Sequence, residues 1–388
     1  MVVVAGAAVL VAAALRRLGL AGAAVVGGVA AGVLLGPGVA GRLAPETWTR
    51  TFEGPPELLT ELRGATSERE ALHLALGQPA MAGVDATEAL KEVEPRFERA
   101  TLAWEEARAE HRRPLGWALL AASALTFLAA GAACAVRAPV RSVQRAEALL
   151  HATWWCAAAV AATALVTWIR GEPLGGPESL VIAAAACCGP WAIGREDRRI
   201  VREALPRGDA LLEHSGRIAS TVALGLAAAV VAMAWHRLGA TERILACATL
   251  AALPVGWALR PRLIAFVECG ALPALAALAC LAVEPFRDLD PLLAVVLYLL
   301  LEDARWTGGW LGLRLSDRAA ANEATRAALG ALAVDPMILA FVGLGLAAGV
   351  LTPVVAASMV AGATIIAVLA KARRLVAGRM ALERAIDG

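Results

Sequence analysis

Residues 327–350 read AALGALAVDPMILAFVGLGLAAGV, and the Val334-Asp335-Pro336 step inside this apolar run decides the fold. A helix crossing a bilayer needs about 20 apolar residues at 1.5 Å rise, and this run is long enough. Its proline lacks an N–H and clashes one turn back, so a span built from it is expected to break near the membrane midplane. A second run, at about 177–194, carries the same interruption at Cys187-Cys188-Gly189-Pro190. Broken helices in corresponding positions of two halves point to a secondary transporter's substrate site, because half-helix ends offer dipoles and free backbone groups to an ion. Counted from the third apolar run, Pro190 falls in the third helix of a four-helix unit; counted from the eighth, Pro336 falls in the third helix of another. A kink that only relieves packing is the alternative reading of each proline.

Working outward, the whole chain suits this environment. Of its 388 residues 59% are hydrophobic and only 18% charged, against about 25% charged in an ordinary soluble domain. Mean hydropathy is +0.65. The formal net charge of +2 is too balanced for a nucleic-acid binder. Apolar runs lie at roughly 2–15, 19–36, 114–136, 152–169, 177–194, 216–236, 241–259, 263–283, 289–313, 327–350 and 353–370. They predict an all-α polytopic membrane protein of about 11 transmembrane helices. The first run is short and is followed, not preceded, by Arg16 and Arg17. It is expected to be a retained segment with its N-terminus outside, not a cleaved signal.

Basic residues resist translocation and collect on the cytoplasmic side. They concentrate in alternate loops, at 16–18, 137–151, 195–215, 260–262 and 314–326, and in the tail from Lys371 to Arg384. This alternation predicts a cytoplasmic C-terminus and an integral membrane location. The polar stretch 46–113 holds 14 Asp and Glu against 9 Lys and Arg, a net charge of −5, and is expected outside. The chain thus divides into 1–45 with the first two spans, a helical extracytoplasmic insertion at 46–113, a membrane core at 114–373 and a basic tail at 374–388. Within the insertion, Ser67-x-x-Glu70 predicts a capping box opening a short helix, and Asp85 a cap for a longer one. Leu90, Phe97 and Trp104 recur every seven residues beside Val93, Ala100 and Ala107, making one apolar stripe on a charged rod. A helical hairpin packing on itself or on the membrane core would bury that stripe; a docking face for a protein partner would leave it open.

Small residues at four-residue spacing, Gly28, Gly32 and Gly36 and again Gly345 and Gly349, predict close helix contacts, which packing holds together in lipid. The seven cysteines lie in or beside apolar runs and read as packing residues. Zinc-ligand, nucleophile-elbow and phosphate-loop patterns are missing, so neither enzyme chemistry, nor a cofactor, nor a metal site is expected.

Further motifs carry a family resemblance. Leu18-Gly19-Leu20 through Ala31-Gly32-Val33-Leu34-Leu35-Gly36-Pro37 resembles the early helix and turn of the monovalent cation:proton antiporters, the superfamily of sodium/proton exchangers and Kef-type potassium/proton antiporters. Phe127-Leu128-Ala129-Ala130-Gly131 and the basic loop from Arg137 to Arg145 are similar to its next helix and cytoplasmic loop. Pro190 stands where the family's first crossover helix has a proline. Gly308-Gly309-Trp310-Leu311-Gly312 and the stretch from Ala327 to Leu351-Thr352-Pro353 look like its closing helices, including the second crossover. The resemblance covers most of the chain except 46–113 and leaves the second half about two helices short of the family pattern. It implies an inverted-repeat antiporter-like fold with two crossing broken helices, a homodimer in a bacterial inner membrane, and exchange of Na⁺ or K⁺ for protons by alternating access.

The family's exchange chemistry sits on an Asp in the helix after the first crossover. The matching stretch here is Glu213-His214-Ser215-Gly216-Arg217-Ile218-Ala219-Ser220-Thr221, with Arg217 and Ile218 in place of the acidic pair. Other acids near apolar runs are therefore candidates, since a charge at the bilayer centre costs about 2.5–3.5 kcal/mol on insertion scales and calls for a function. Asp335 beside Pro336 is one, with capping of the following half-helix as its plain alternative. Glu268, five residues before Pro273, is another and could be interfacial. Arg305 falls where the family carries a basic residue that pairs with the core carboxylate or the crossover helices; Glu302 and Asp303 could neutralise it locally. Glu213, His214 and Arg217 are expected at the cytoplasmic entrance, and Ser220 and Thr221 could offer hydroxyl oxygens to a cation or simply pack. The missing acid also leaves open a transport-inactive relative, a membrane scaffold or regulatory subunit acting through 46–113.

Overall fold

In the computed structural model the described residues are 1–20, 22–76, 84–133, 142–171, 176–187, 208–259, 267–316, 323–325, 328 and 336–387. Among them the chain is helical and holds no strand. The main helices are α1 (Val2–Arg17), α2 (Ala23–Leu35), α3 (Pro56–Leu76), α4 (Val84–Ala133), α5 (Ser142–Arg170), α6 (Pro177–Cys187), α7 (Gly208–Ala234), α8 (Ala240–Gly256), α9 (Leu272–Ala282), α10 (Pro291–Ser316), α11 (Pro336–Ala347) and α12 (Pro353–Asp387). Five helical segments are long and apolar enough to cross a membrane: Ala23–Leu43, Ala89–Ala132, Arg145–Arg170, His214–Ala234 and Pro353–Ala370. Shorter apolar helices lie at Pro177–Cys187, Cys269–Ala282 and Met337–Ala347. The chain has the makeup of a helical membrane protein.

Local sequence accounts for several helix ends. Asp290 precedes Pro291, and its Oδ1 accepts the N–H groups of Leu292 and Leu293 at 2.9 and 3.1 Å. That satisfies two orphan donors, and the proline fits the first helical position, where no N–H is needed. α11 likewise opens on Pro336 and ends at Ala347, two residues before Gly349, whose φ of +64° suits a residue without a side chain.

The chain forms two compact units, one of 1–36 with 116–388 and one of 37–115, which encloses the acidic stretch. In the latter, α3 pairs with the first part of α4 through Arg69–Glu94 at 3.0 Å and Arg96–Glu68 at 3.6 Å. Val93, Ala100 and Trp104 are buried, and Arg69 lies 4.5 Å over the Phe97 ring. The seven-residue stripe is thus largely spent inside the hairpin. One expectation needs correcting: Ser67 and Glu70 sit inside α3, which starts eleven residues earlier at Pro56. Pro56 at the first position with Glu57 in the first turn is the start signal that prevails.

In the larger unit, glycines bring helix backbones together. A methyl on Gly28 of α2 would strike the Pro273 carbonyl of α9, and one on Gly32 would lie 2.7 Å from the Ala277 carbonyl. Numbers rise together, so α2 and α9 run the same way. α4 and α8 do so too: Trp117 Nε1 donates to Glu242 at 2.9 Å, Thr249 Oγ1 donates to the Leu120 carbonyl at 3.1 Å, and Gly131 meets Gly256. α5 and α10 run oppositely, with His151 against Gly312 and Trp155 against Gly308. So do α4 and α11, where Ser123 faces Gly343 and Phe127 meets Phe341 edge-on at 5.0 Å.

Candidate functional site

The two short helices at the interrupted runs, α6 and α11, pack side by side. A methyl on Gly345 would come within 3.3 Å of Val181, and the Glu178 carboxylate reaches Thr352 just beyond α11. Residue numbers therefore run in opposite senses along the pair, which brings the carbonyl end of α6 and the amide end of α11 to the same level. Opposite helix ends carry opposite partial charges. Arg305 of α10, only 5% exposed, donates from Nη2 to the Ala185 carbonyl of α6 at 3.1 Å. A fixed guanidinium on the last carbonyls of a helix answers both their missing partners and their negative partial charge.

The far end of the pair is tied by Glu178. Its Oε2 accepts from Arg170 at 3.0 Å, and its Oε1 accepts the Thr352 N–H at 2.8 Å and the Thr352 hydroxyl at 2.7 Å. One carboxylate thereby fastens the end of α5, the start of α6 and the start of α12.

Asp335 and Pro190 lie outside the described residues, and Pro336 is the first residue of α11. Glu268 falls in a π-helical turn, Val267–Ala271, beside Cys269, whose sulfur accepts from Arg16 at 2.7 Å. Glu213, His214 and Arg217 lie near the start of α7. Arg217 stacks over the Trp257 ring, its Cζ 4.9 Å from the centroid. The Ser220 and Thr221 hydroxyls both donate to the Arg217 carbonyl, at 2.6 and 3.0 Å, so their protons are taken up within α7. Ser220 is fully buried.

The sequence reading missed one pairing. Glu302, grouped with Arg305 as a local neutraliser, is instead gripped by Arg373 of α12. Asp303 is exposed. The only signal for this pair was an acid inside one apolar run and an arginine just past another, 71 residues away. Buried His151 also went unremarked; it lies 3.2 Å from the Gly309 carbonyl, in the α5–α10 contact. The sequence matches no known family model and no curated protein.

Proposed function

We propose that this chain is a membrane transporter that exchanges a monovalent cation, Na⁺ or K⁺, for protons by alternating access. The observation that carries the reading is the antiparallel pair α6–α11, with opposite helix ends at one level and Arg305 on the carbonyl end. Paired half-helix ends near the middle of a bundle are where secondary transporters hold ions. Asp335, next to the start of α11, is the acid proposed to exchange its proton, and Arg305 the fixed cation that positions α6. The relative directions of α2 with α9, α4 with α8, α5 with α10 and α4 with α11 are those that successive crossings in alternating sense would give, which supports a polytopic core.

A second reading, a transport-inactive scaffold in the same membrane, is favoured by one observation. Where the antiporters carry their acid, Arg217 is engaged with Trp257. The test is proton flux in proteoliposomes under an imposed Na⁺ or K⁺ gradient, comparing Asp335→Asn and Arg305→Ala with the unaltered chain. The transporter reading expects both variants to lose the flux; flux unchanged in both overturns the residue assignments.

A further inference from the structure

Arg373 holds Glu302 through two parallel bonds, Nε to Oε1 at 2.5 Å and Nη2 to Oε2 at 2.6 Å, with the two side chains 9% and 16% exposed. This is the fork geometry in which a guanidinium binds a carboxylate best. Glu302 is the twelfth residue of the 26 in α10, about 17 Å along the helix; the transporter reading takes α10 as a span, which puts Glu302 near the middle of a hydrocarbon layer about 30 Å thick. Arg373 belongs elsewhere by sequence: the apolar span of α12 ends at Ala370, and Arg373 stands in the basic run that follows. Gly362 of α12 is level with Tyr298 of α10: a methyl added to it would lie 3.5 Å from the Tyr298 backbone nitrogen. Continuing four residues along each helix puts Glu302 level with residue 366, seven residues before Arg373, or about 10 Å. The arginine side chain therefore reaches back along α12 toward its apolar span to meet the acid.

A carboxylate at this depth needs a cation beside it, because leaving it alone carries a large desolvation penalty. The partner here is a long side chain rooted in the basic run just past the apolar span of α12. Another cation can take its place while Arg373 withdraws toward that run. The chain's one tyrosine, Tyr298, lies one turn from Glu302 and faces both members of the pair, adding a neutral oxygen. Three residues on from Glu302, Arg305 connects the same helix to the carbonyl end of α6.

We propose that Glu302, with the Tyr298 hydroxyl, is a binding site for the transported monovalent cation, and that Arg373 is the tethered cation that occupies it between ions. This rests on the transporter reading and adds to it a second carboxylate, distinct from Asp335, together with the competitor for it.

The experiment is uptake of radioactive Na⁺ and of Rb⁺, as a K⁺ tracer, into proteoliposomes under an imposed pH gradient. The key variant is the double change Glu302→Gln with Arg373→Gln, which removes both charges and strands neither. It is expected to unfold near the wild-type temperature and to lose uptake by about tenfold or more. Arg373→Lys replaces the fork with a point charge and is expected to lower the half-saturating cation concentration by about threefold. Normal uptake by the double variant, or an unchanged half-saturation in Arg373→Lys, overturns the proposal alone and leaves the pair a clamp between α10 and α12. A wild-type protein that takes up neither ion overturns the transporter reading and this proposal with it.

Discussion

Glu178 joins three helix termini through one side chain that is 12% exposed. Hydrogen bonds to an ionised group contribute about 1.5–3 kcal/mol, and removing the acceptor leaves the donors to find water. Glu178→Ala is therefore expected to destabilise the protein by about 1.5–3 kcal/mol, with Glu178→Gln closer to wild type because it retains an acceptor oxygen. Thermal unfolding in detergent measures both, and an unfolding temperature unmoved in Glu178→Ala would refute the assigned role. Arg305 differs in kind: its acceptor is the Ala185 backbone carbonyl. Nothing in a residue's letter marks which carbonyl it will receive, so the sequence could nominate Arg305 but not its partner. The pairing of Glu302 with Arg373 was hidden for a related reason. It depends on a side chain reaching back along its helix, whereas reading along the chain places Arg373 with the tail.

Contacts between helices are set by where side chains are missing. Gly131 and Gly256 let α4 and α8 touch backbone to backbone, and a methyl at 131 would strike the Leu253 carbonyl. Gly131→Ala must push the helices apart and is expected to destabilise by about 1–3 kcal/mol, the range for overpacked positions. Gly225 of α7 has nothing within 4 Å of an added methyl; there Ala is expected to stabilise by about 0.5–1 kcal/mol through helix propensity alone. Comparing the two variants by thermal unfolding checks the packing, and equal effects would contradict it. At this scale the sequence was informative. Four-residue glycine spacing anticipated the close contacts of Gly28 and Gly32 with α9, because approach through small residues is a local property of one helix. The Ser67 capping box misled because a local start signal competes with others nearby, and Pro56 opens the helix first.

For the whole molecule, composition was enough to indicate apolar helices suited to a membrane, since only 18% of the residues are charged against about 25% in an ordinary soluble domain. Composition does not say what the helices do. That depends on whether α6 and α11, aligned in opposite senses, work as two ends of an ion path or as packed supports. The most direct test is proton flux in proteoliposomes containing only this chain, with Na⁺ or K⁺ gradients imposed and a pH-sensitive dye inside. The transporter account predicts proton movement that follows the cation gradient and reverses with it. A well-folded protein that moves no protons under either gradient would contradict it.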